Sequence, residues 1–301
     1  MNQAETMQYL KDGTIQFDFD QGVSDMPATA PRVFSFSSGK GGVGKTNIVV
    51  NTAIALSRLG QKVLILDADM GLANIDVMLG LTPQWTINHV FAGQKTLNDV
   101  VLEGPEGILI LPSSSGTTEL VNLGESEKLF LLDGLEDLAS DIDMLFIDNS
   151  AGISDNVFYF NMAAQQRVVV VTPEPTSITD AYALIKLMSS RHQVKSFSIL
   201  VNSVHSANEA KKVYRQLTTV ADRFLDSISL DYLGFILKDE SVPRAICQQK
   251  ALLQVYPDSN AGKGFVTLAH TILSQRLDNA PQGNIVFFWK QLLGRGLSGN
   301  L

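Results

Sequence analysis

The sequence predicts an α/β fold with a doubly wound, mostly parallel β-sheet flanked by helices. From Arg32 onward, short apolar runs alternate with longer helical patterns, and a glycine-rich loop follows the first apolar run. Alternation of this kind requires crossover connections, which keep successive strands parallel and place helices on both faces. The strands are apolar along their whole length because both faces of such a sheet are covered.

The apolar runs and helical patterns give the elements in chain order. The predicted strands are residues 32–37, 62–67, 107–112, 143–148, 167–172, 196–202 and 231–237. The predicted helices lie near residues 46–59, 125–139, 176–190, 206–224 and 258–276. Ligands of such sheets bind beyond the carboxyl ends of the strands, so we expect the functional residues there.

The glycine-rich loop fits the phosphate-binding pattern G-x-x-x-x-G-K-[ST]. Its residues are Gly39, Lys40, Gly41, Gly42, Val43, Gly44, Lys45 and Thr46, followed by Asn47. Glycines let backbone N–H groups turn toward phosphate oxygens, and the N-terminus of the next helix adds partial positive charge. The pattern predicts that this segment binds a nucleotide, with Lys45 on the β- and γ-phosphates and the Thr46 hydroxyl on Mg²⁺. The alternative is a glycine-rich turn that binds nothing.

Acidic residues end two of the predicted strands. Asp67 and Asp69 follow residues 63–66, and Asp148 follows residues 144–147. Carboxylates at i and i+2 share one side of a strand, which places both near a metal and the γ-phosphate. Asp148 fits a Walker B pattern, in which an apolar strand directs one carboxylate toward Mg²⁺. The alternative for the first two is that they cap the turn that follows.

Lys40 is a second lysine inside the loop, and its side chain is expected to point outward because the loop backbone wraps the nucleotide. The pattern K-G-G-x-G-K-T resembles the deviant Walker A loop of the MinD/ParA ATPases. The resemblance implies ATP, ADP and Mg²⁺ as ligands, and an ATP-bound homodimer in which Lys40 stabilises transition-state charge in the partner's site. It also implies that Asp69 orients the attacking water and that Asp67 lies by the metal. A solvated surface lysine is the alternative for Lys40.

Two further residues are candidates for the nucleotide base. Asn202 follows the apolar residues 198–201, and the resemblance implies that it hydrogen-bonds adenine. Residues 234–242 resemble the base-flanking loop of the same family and contain Asp239, which either holds the base or ribose or caps a helix before Ser241. No N-K-x-D guanine-recognition motif is present.

Asn149 departs from the family pattern, in which threonine or serine usually follows the Walker B aspartate. Gly152 fits a switch that contacts or releases the γ-phosphate. Because an amide differs from a hydroxyl in donor geometry, the departure bears on the rate of hydrolysis more than on nucleotide binding. A nucleotide-binding module without turnover is the alternative that Asn149 raises.

The two ends differ from the predicted ATPase domain, residues 31–277. Residues 1–30 are acidic, and we expect a flexible extension that binds partners. Residues 278–301 form a linker and a short basic, aromatic-rich helix that suits an anionic membrane surface or, alternatively, the protein's own surface. The apolar face of that helix comprises Ile285, Phe288, Trp289 and Leu292.

Composition excludes several function classes. The net charge of −8 argues against broad affinity for nucleic acid, so no direct nucleic-acid contact is expected. Cys247 is the only cysteine, which fits a reducing cytoplasm and excludes relatives that hold iron–sulfur clusters through several cysteines. No apolar run approaches the ~20 residues of a membrane span.

A closer resemblance, to the FlhG (FleN) branch of the MinD-like ATPases, covers nearly the whole chain. It is carried by the loop, residues 67–76, residues 174–186, the aromatic tail and the N-terminal extension. This branch regulates flagellar number and placement, which implies a slow ATPase switch at the inner face of the cytoplasmic membrane or at the cell pole. The implied partners are the FlhF GTPase, C-ring switch proteins and the flagellar master transcription activator. The family motif that stimulates FlhF is matched only loosely by residues 2–8 of this chain. The alternative is a ParA/MinD-type ATPase that partitions DNA or positions another cargo.

Overall fold

A computed structural model describes residues 31–69, 74–113, 131, 134–135, 137–225 and 228–275. The strands are β1 (Arg32–Ser37), β2 (Val63–Ala68), β3 (Leu102–Glu103), β4 (Leu109–Leu111), β5 (Met144–Asn149), β6 (Gln166–Val171), β7 (Ser196–Val204) and β8 (Ser229–Leu237). The helices are α1 (Lys45–Arg58), α2 (Ile75–Leu79), α3 (Ile87–Phe91), α4 (Leu97–Val100), α5 (Asp155–Ala163), α6 (Pro175–His192), α7 (Ala207–Phe224), α8 (Ser241–Cys247), α9 (Leu252–Val255) and α10 (Asn260–Ser274), with a short 3-10 turn at Pro105–Gly107.

The strands form one sheet in the order β3-β4-β2-β5-β1-β6-β7-β8. The strand pairs from β4 to β8 are parallel, and only the two-residue β3 pairs antiparallel, with β4. The predicted doubly wound, mostly parallel sheet is therefore confirmed. The strand order puts β1 between β5 and β6 and puts β5 beside β2, so the phosphate loop and both acidic strand ends share one edge.

The core lies on both faces of this sheet, which explains why its central strands are apolar throughout. On one face, Phe34 and Phe36 pack against Phe146, with ring centroids 5.3 and 4.9 Å apart. Helices α1 and α10 cover that face. On the other face, strand residues such as Leu145 pack against Phe160 of α5. Burial of these large side chains supplies most of the driving force that holds the site's scaffold in place.

Helix α5 and the short elements α2–α4, α8, α9 and β3 were not predicted from the sequence. Seven of the nine residues of α5 are buried, so the helix has no polar stripe from which a 3.6-residue period could be recognised. The others are too short to show a period. The seven predicted strands are present with ends shifted by two residues or fewer, and the strand predicted at 107–112 is shortened to Leu109–Leu111. Of the helix predicted near 125–139, the described residues 131, 134–135 and 137–139 are helical.

The predicted N-terminal extension and C-terminal membrane helix lie outside the described residues. Within the described part of the chain, no helix combines the length and the hydropathy needed to cross a bilayer.

Candidate nucleotide-binding site

The phosphate loop connects the end of β1 to the start of α1, as the strand–loop–helix pattern predicts. Gly42 and Gly44 have φ angles of 78° and 86°, a left-handed region in which a side chain is strained. Gly44 is the N-cap of α1 and offers no capping side chain. The first-turn N–H groups and the positive end of the helix dipole are therefore presented to an anion at this position.

Two glycines of the loop serve different purposes. A Cβ added at Gly39 would lie 2.2 Å from the carbonyl carbon of Asp180 in α6, so this glycine allows the loop to contact the helix backbone directly. A Cβ added at Gly41 would meet nothing within 4 Å, and Gly41 is exposed. The tight contact anchors the start of the loop, while its middle stays accessible to a ligand.

Asp67 and Asp148 lie side by side at the carboxyl ends of β2 and β5. They are paired residues in the parallel ladder, and they are only 2% and 1% exposed. Burial is the main cause that raises the pKa of Asp67 from 3.8 to about 7, and the neighbouring charge of Asp148 is the second. Hydrogen bonds from three backbone N–H groups oppose the shift. These N–H groups belong to Asp69, Asn74 and Ile75, at 3.1, 3.2 and 3.4 Å from the Asp67 carboxylate.

Lys45 is the first residue of α1 and forms an ion pair with Asp148. Only 8% of the surface of Lys45 is exposed. One lysine facing two buried carboxylates leaves negative charge that a cation can compensate. Among the described residues, no three or more His, Cys, Asp or Glu side chains are grouped so that they could hold a metal ion by themselves. A pair of carboxylates fits Mg²⁺, which binds through one or two carboxylates together with substrate phosphates and water. Thr46 lies next to Lys45 in the same first turn and supplies a hydroxyl.

Asp69 lies just beyond the end of β2, between the acid pair and the start of the next segment. Its backbone N–H donates to Asp67, and its carbonyl oxygen accepts a hydrogen bond from the Ser113 hydroxyl at 3.3 Å. Ser113 is 2% exposed and follows β4, the neighbour of β2. Sequence reasoning did not single out this serine, because its contact depends on strand order.

Lys40 is held within its own chain by the N-terminal region of α6. Its ammonium group pairs with the carboxylate of Glu174 and hydrogen-bonds the Thr176 hydroxyl at 3.2 Å. The Lys40 side chain is 30% exposed, and Glu174 is 62% exposed, so an ion pair here is screened by water and weak. Lys40 therefore lies at the surface of the site with a replaceable partner.

The two predicted base-binding residues both contact backbone. The Asn202 amide nitrogen donates to the carbonyl of Val43 at 2.7 Å, which places Asn202 directly against the phosphate loop. Asp239 accepts hydrogen bonds from the N–H groups of Ser241 at 2.8 Å and Ala261 at 3.1 Å. Burial would raise the pKa of Asp239, but these backbone hydrogen bonds outweigh it and hold the pKa below its usual value. Asp239 thus contacts the first residue of α8 and the second residue of α10, as the capping alternative expects, although the N-cap positions are Glu240 and Ser259.

Comparisons with known proteins show which family of proteins the chain resembles. A family model described as ParA, NUBPL iron-transfer P-loop NTPase, matches residues 30–273. The antiactivator FleN of Pseudomonas aeruginosa is 44% identical over 269 residues, 89% of this chain and 96% of that protein. The flagellum site-determining protein YlxH of Helicobacter pylori is 33% identical over 265 residues, 87% of this chain and 90% of that protein. The septum site-determining protein MinD of Pyrococcus horikoshii OT3, complexed with Mg-ADP, has a similar fold, with a TM-score of 0.67 and 22% identity over 83% of this chain and 100% of that one.

Proposed function

The chain belongs to the ParA/MinD family of P-loop NTPases, and from this premise we propose that it is an ATP-controlled switch that regulates flagellar number and placement. It is an ATPase of this class, with ATP and Mg²⁺ as ligands. The flagellar role is supported by its similarity to FleN and YlxH. Iron transfer, part of the family model's description, does not extend to this chain, because Cys247 is its only cysteine.

One observation supports hydrolysis most strongly, the buried pair Asp67–Asp148 with Lys45 beside the phosphate loop. When bound, Mg²⁺ would supply charge compensation for the phosphates, held by Thr46, Asp67 and Asp148. Lys45 is the first residue of α1, directly after Gly44, and a triphosphate would draw it from Asp148 toward the β- and γ-phosphates. Asp69, whose backbone N–H donates to the Asp67 carboxylate, would orient the attacking water.

Dimerisation is the second part of the proposal. Lys40 lies on an exposed stretch of the loop and is held only by a solvent-screened ion pair, so it can exchange Glu174 for the nucleotide of a second copy. Two exposed apolar side chains flank the same edge, Val77 in α2 at 58% and Ile153 after β5 at 51%. A second copy of the chain that binds at this edge would cover both side chains.

Asp69→Ala and Lys40→Ala separate these roles. The Asp69→Ala protein should bind ATP, release phosphate at least 100-fold more slowly, and accumulate as a dimer in sedimentation experiments. The Lys40→Ala protein should bind ATP and remain monomeric. Lys263→Ala, at an exposed position on α10, is the matched control and should behave as the wild type. A monomeric Asp69→Ala protein that does not bind ATP would contradict the assignment.

We further propose that residues 31–277 are the ATPase domain and that the ends carry its outputs. The apolar face at Ile285, Phe288, Trp289 and Leu292 would attach the ATP-bound dimer to the inner face of the cytoplasmic membrane. Residues 1–30 would contact partners, with the FlhF GTPase, C-ring switch proteins and the flagellar master transcription activator as candidates. The similarity to FleN, an antiactivator, supports the last of these.

Co-sedimentation with anionic liposomes in ADP and in ATP tests the membrane step. ATP-dependent binding that is lost in Trp289→Glu supports it, whereas equal binding in both nucleotides argues against a switch. Salt-sensitive binding of the ATP form to non-specific DNA would instead favour a partition ATPase.

A further inference from the structure

Asn149 is the last residue of β5, directly after Asp148, and it is fully buried. Its amide nitrogen shares two hydrogens among three acceptors, the Ser35 hydroxyl at 2.7 Å, the Phe36 carbonyl at 2.9 Å and the Ser37 hydroxyl at 3.1 Å. A carbonyl oxygen can only accept, so the Phe36 contact requires the nitrogen of the amide to face β1. The side chain therefore crosses from one central strand to the next, just below the phosphate loop.

A second connection runs between the same two segments. The N–H of Gly152 donates to the carbonyl of Ser38 at 2.9 Å, and the Ser38 hydroxyl donates to the carbonyl of Lys40 at 3.0 Å. The segment after Asp148 is thus joined to the residues that enter the loop, and through Ser38 to the backbone of Lys40. Gly152 has a φ of 95°, a conformation that favours glycine.

A serine or threonine hydroxyl at position 149 would have one proton to donate and a shorter reach, so it could not replace all three contacts. None of the three acceptors belongs to residues 39–46, whose backbone is the expected phosphate cradle. Loss of the amide should therefore loosen the connection between Gly152 and Lys40 without removing the groups that bind the nucleotide.

We propose that Asn149 is a positioning residue for ATP hydrolysis, whose carboxamide ties the strand end that leads into the switch segment 150–152 to the end of β1, just before the phosphate loop begins. The inference rests on the proposed ATPase function. It predicts a change in turnover rather than in substrate binding, because the residue acts on the relative placement of Lys40 and Gly152.

Steady-state phosphate release tests this with Asn149→Ala, Asn149→Thr and the control Asn161→Ala. Asn161 donates to the same Ser37 hydroxyl at 2.7 Å, but from α5. Asn149→Ala should lower kcat about tenfold with KM within about twofold, and Asn149→Thr should recover part of the loss through one remaining hydrogen bond. Asn161→Ala should lower the Tm and leave kcat unchanged. An unchanged kcat in Asn149→Ala, or an equal loss in Asn161→Ala, would overturn the proposal.

A double-mutant comparison and hydrogen exchange test the proposed tie independently of the kcat of one variant. The Ser37→Ala and Asn149→Ala effects on kcat should be less than additive, since both remove the same contact. Hydrogen exchange of the nucleotide-free protein should show the Gly152 amide exchanging at least tenfold faster in Asn149→Ala than in the wild type. Unchanged Gly152 exchange would overturn the proposed tie even in a protein that hydrolyses no ATP. Absence of phosphate release from the wild type would count separately, against the proposed function.

Discussion

Replacing Gly39 with alanine should push the phosphate loop away from α6. The added Cβ would lie 2.2 and 2.3 Å from the carbonyl carbon and oxygen of Asp180, and 2.6 Å from the nitrogen of Ala181. All three are backbone atoms of a helix, so no side-chain rotation relieves the clash. Ordinary carbon contacts begin near 3.5 Å, so the loop must move by about 1 Å.

Overpacking of this kind costs typically 1–3 kcal/mol. Because three backbone atoms are involved, we expect a loss of about 3 kcal/mol from the free energy of unfolding, or roughly 5 °C in Tm for a chain of this size. The shift should also weaken ATP binding, since it moves the start of the loop that cradles the phosphates.

Gly41→Ala is the matched control. Its Cβ would meet nothing within 4 Å and its φ needs no glycine, so stability should stay within about 0.5 kcal/mol of the wild type. The same variant should still bind ATP less well, because its methyl group points into the accessible part of the loop. Urea unfolding and ATP titration of both variants separate the two effects. Equal unfolding midpoints for Gly39→Ala and Gly41→Ala would refute the argument from packing.

Two further predictions concern the acidic residues. Because the pKa of Asp67 is raised from 3.8 to about 7, the folded protein keeps a proton in this window that the unfolded chain has lost. This contribution lowers stability as pH rises from about 4 to about 7, by up to about 4 kcal/mol, and the Asp67→Asn protein should lack it. Urea unfolding of the nucleotide-free wild type and Asp67→Asn proteins from pH 5 to pH 8 measures how the free energy of unfolding of each changes with pH. A larger loss of stability in Asp67→Asn than in the wild type over that range would contradict the prediction. Asp239→Ala should lower the free energy of unfolding by about 1–2 kcal/mol, because contacts at the starts of α8 and α10 are lost. Asp239→Asn should lose less, because its amide oxygen can still accept a hydrogen bond. A large loss of ATP affinity at unchanged stability would instead favour a role at the base or ribose.

Local sequence patterns were sufficient for the sheet and for the positions of the glycine-rich loop and the acidic strand ends in it. The loop at 39–46 and the acids Asp67 and Asp148 are recognisable because each follows an apolar strand directly in the chain. Helix α5 was missed for the opposite reason, since burial on nearly all sides removes the period that reveals a helix. Catalytic and binding roles at Lys40, Asp69, Asn202 and Asp239 stay predictions.

The sequence by itself determined the kind of fold, the loop that cradles phosphate and the strand ends that carry carboxylates, because these depend on spacing between neighbours in the chain. Only the tertiary structure decided which of these groups meet. The pairing of Asp67 with Asp148, the contact of Lys40 with Glu174 and the reach of Asn149 to β1 all depend on strand order and register. Those are set by long-range packing of buried side chains across the sheet, a property that no short stretch of sequence contains.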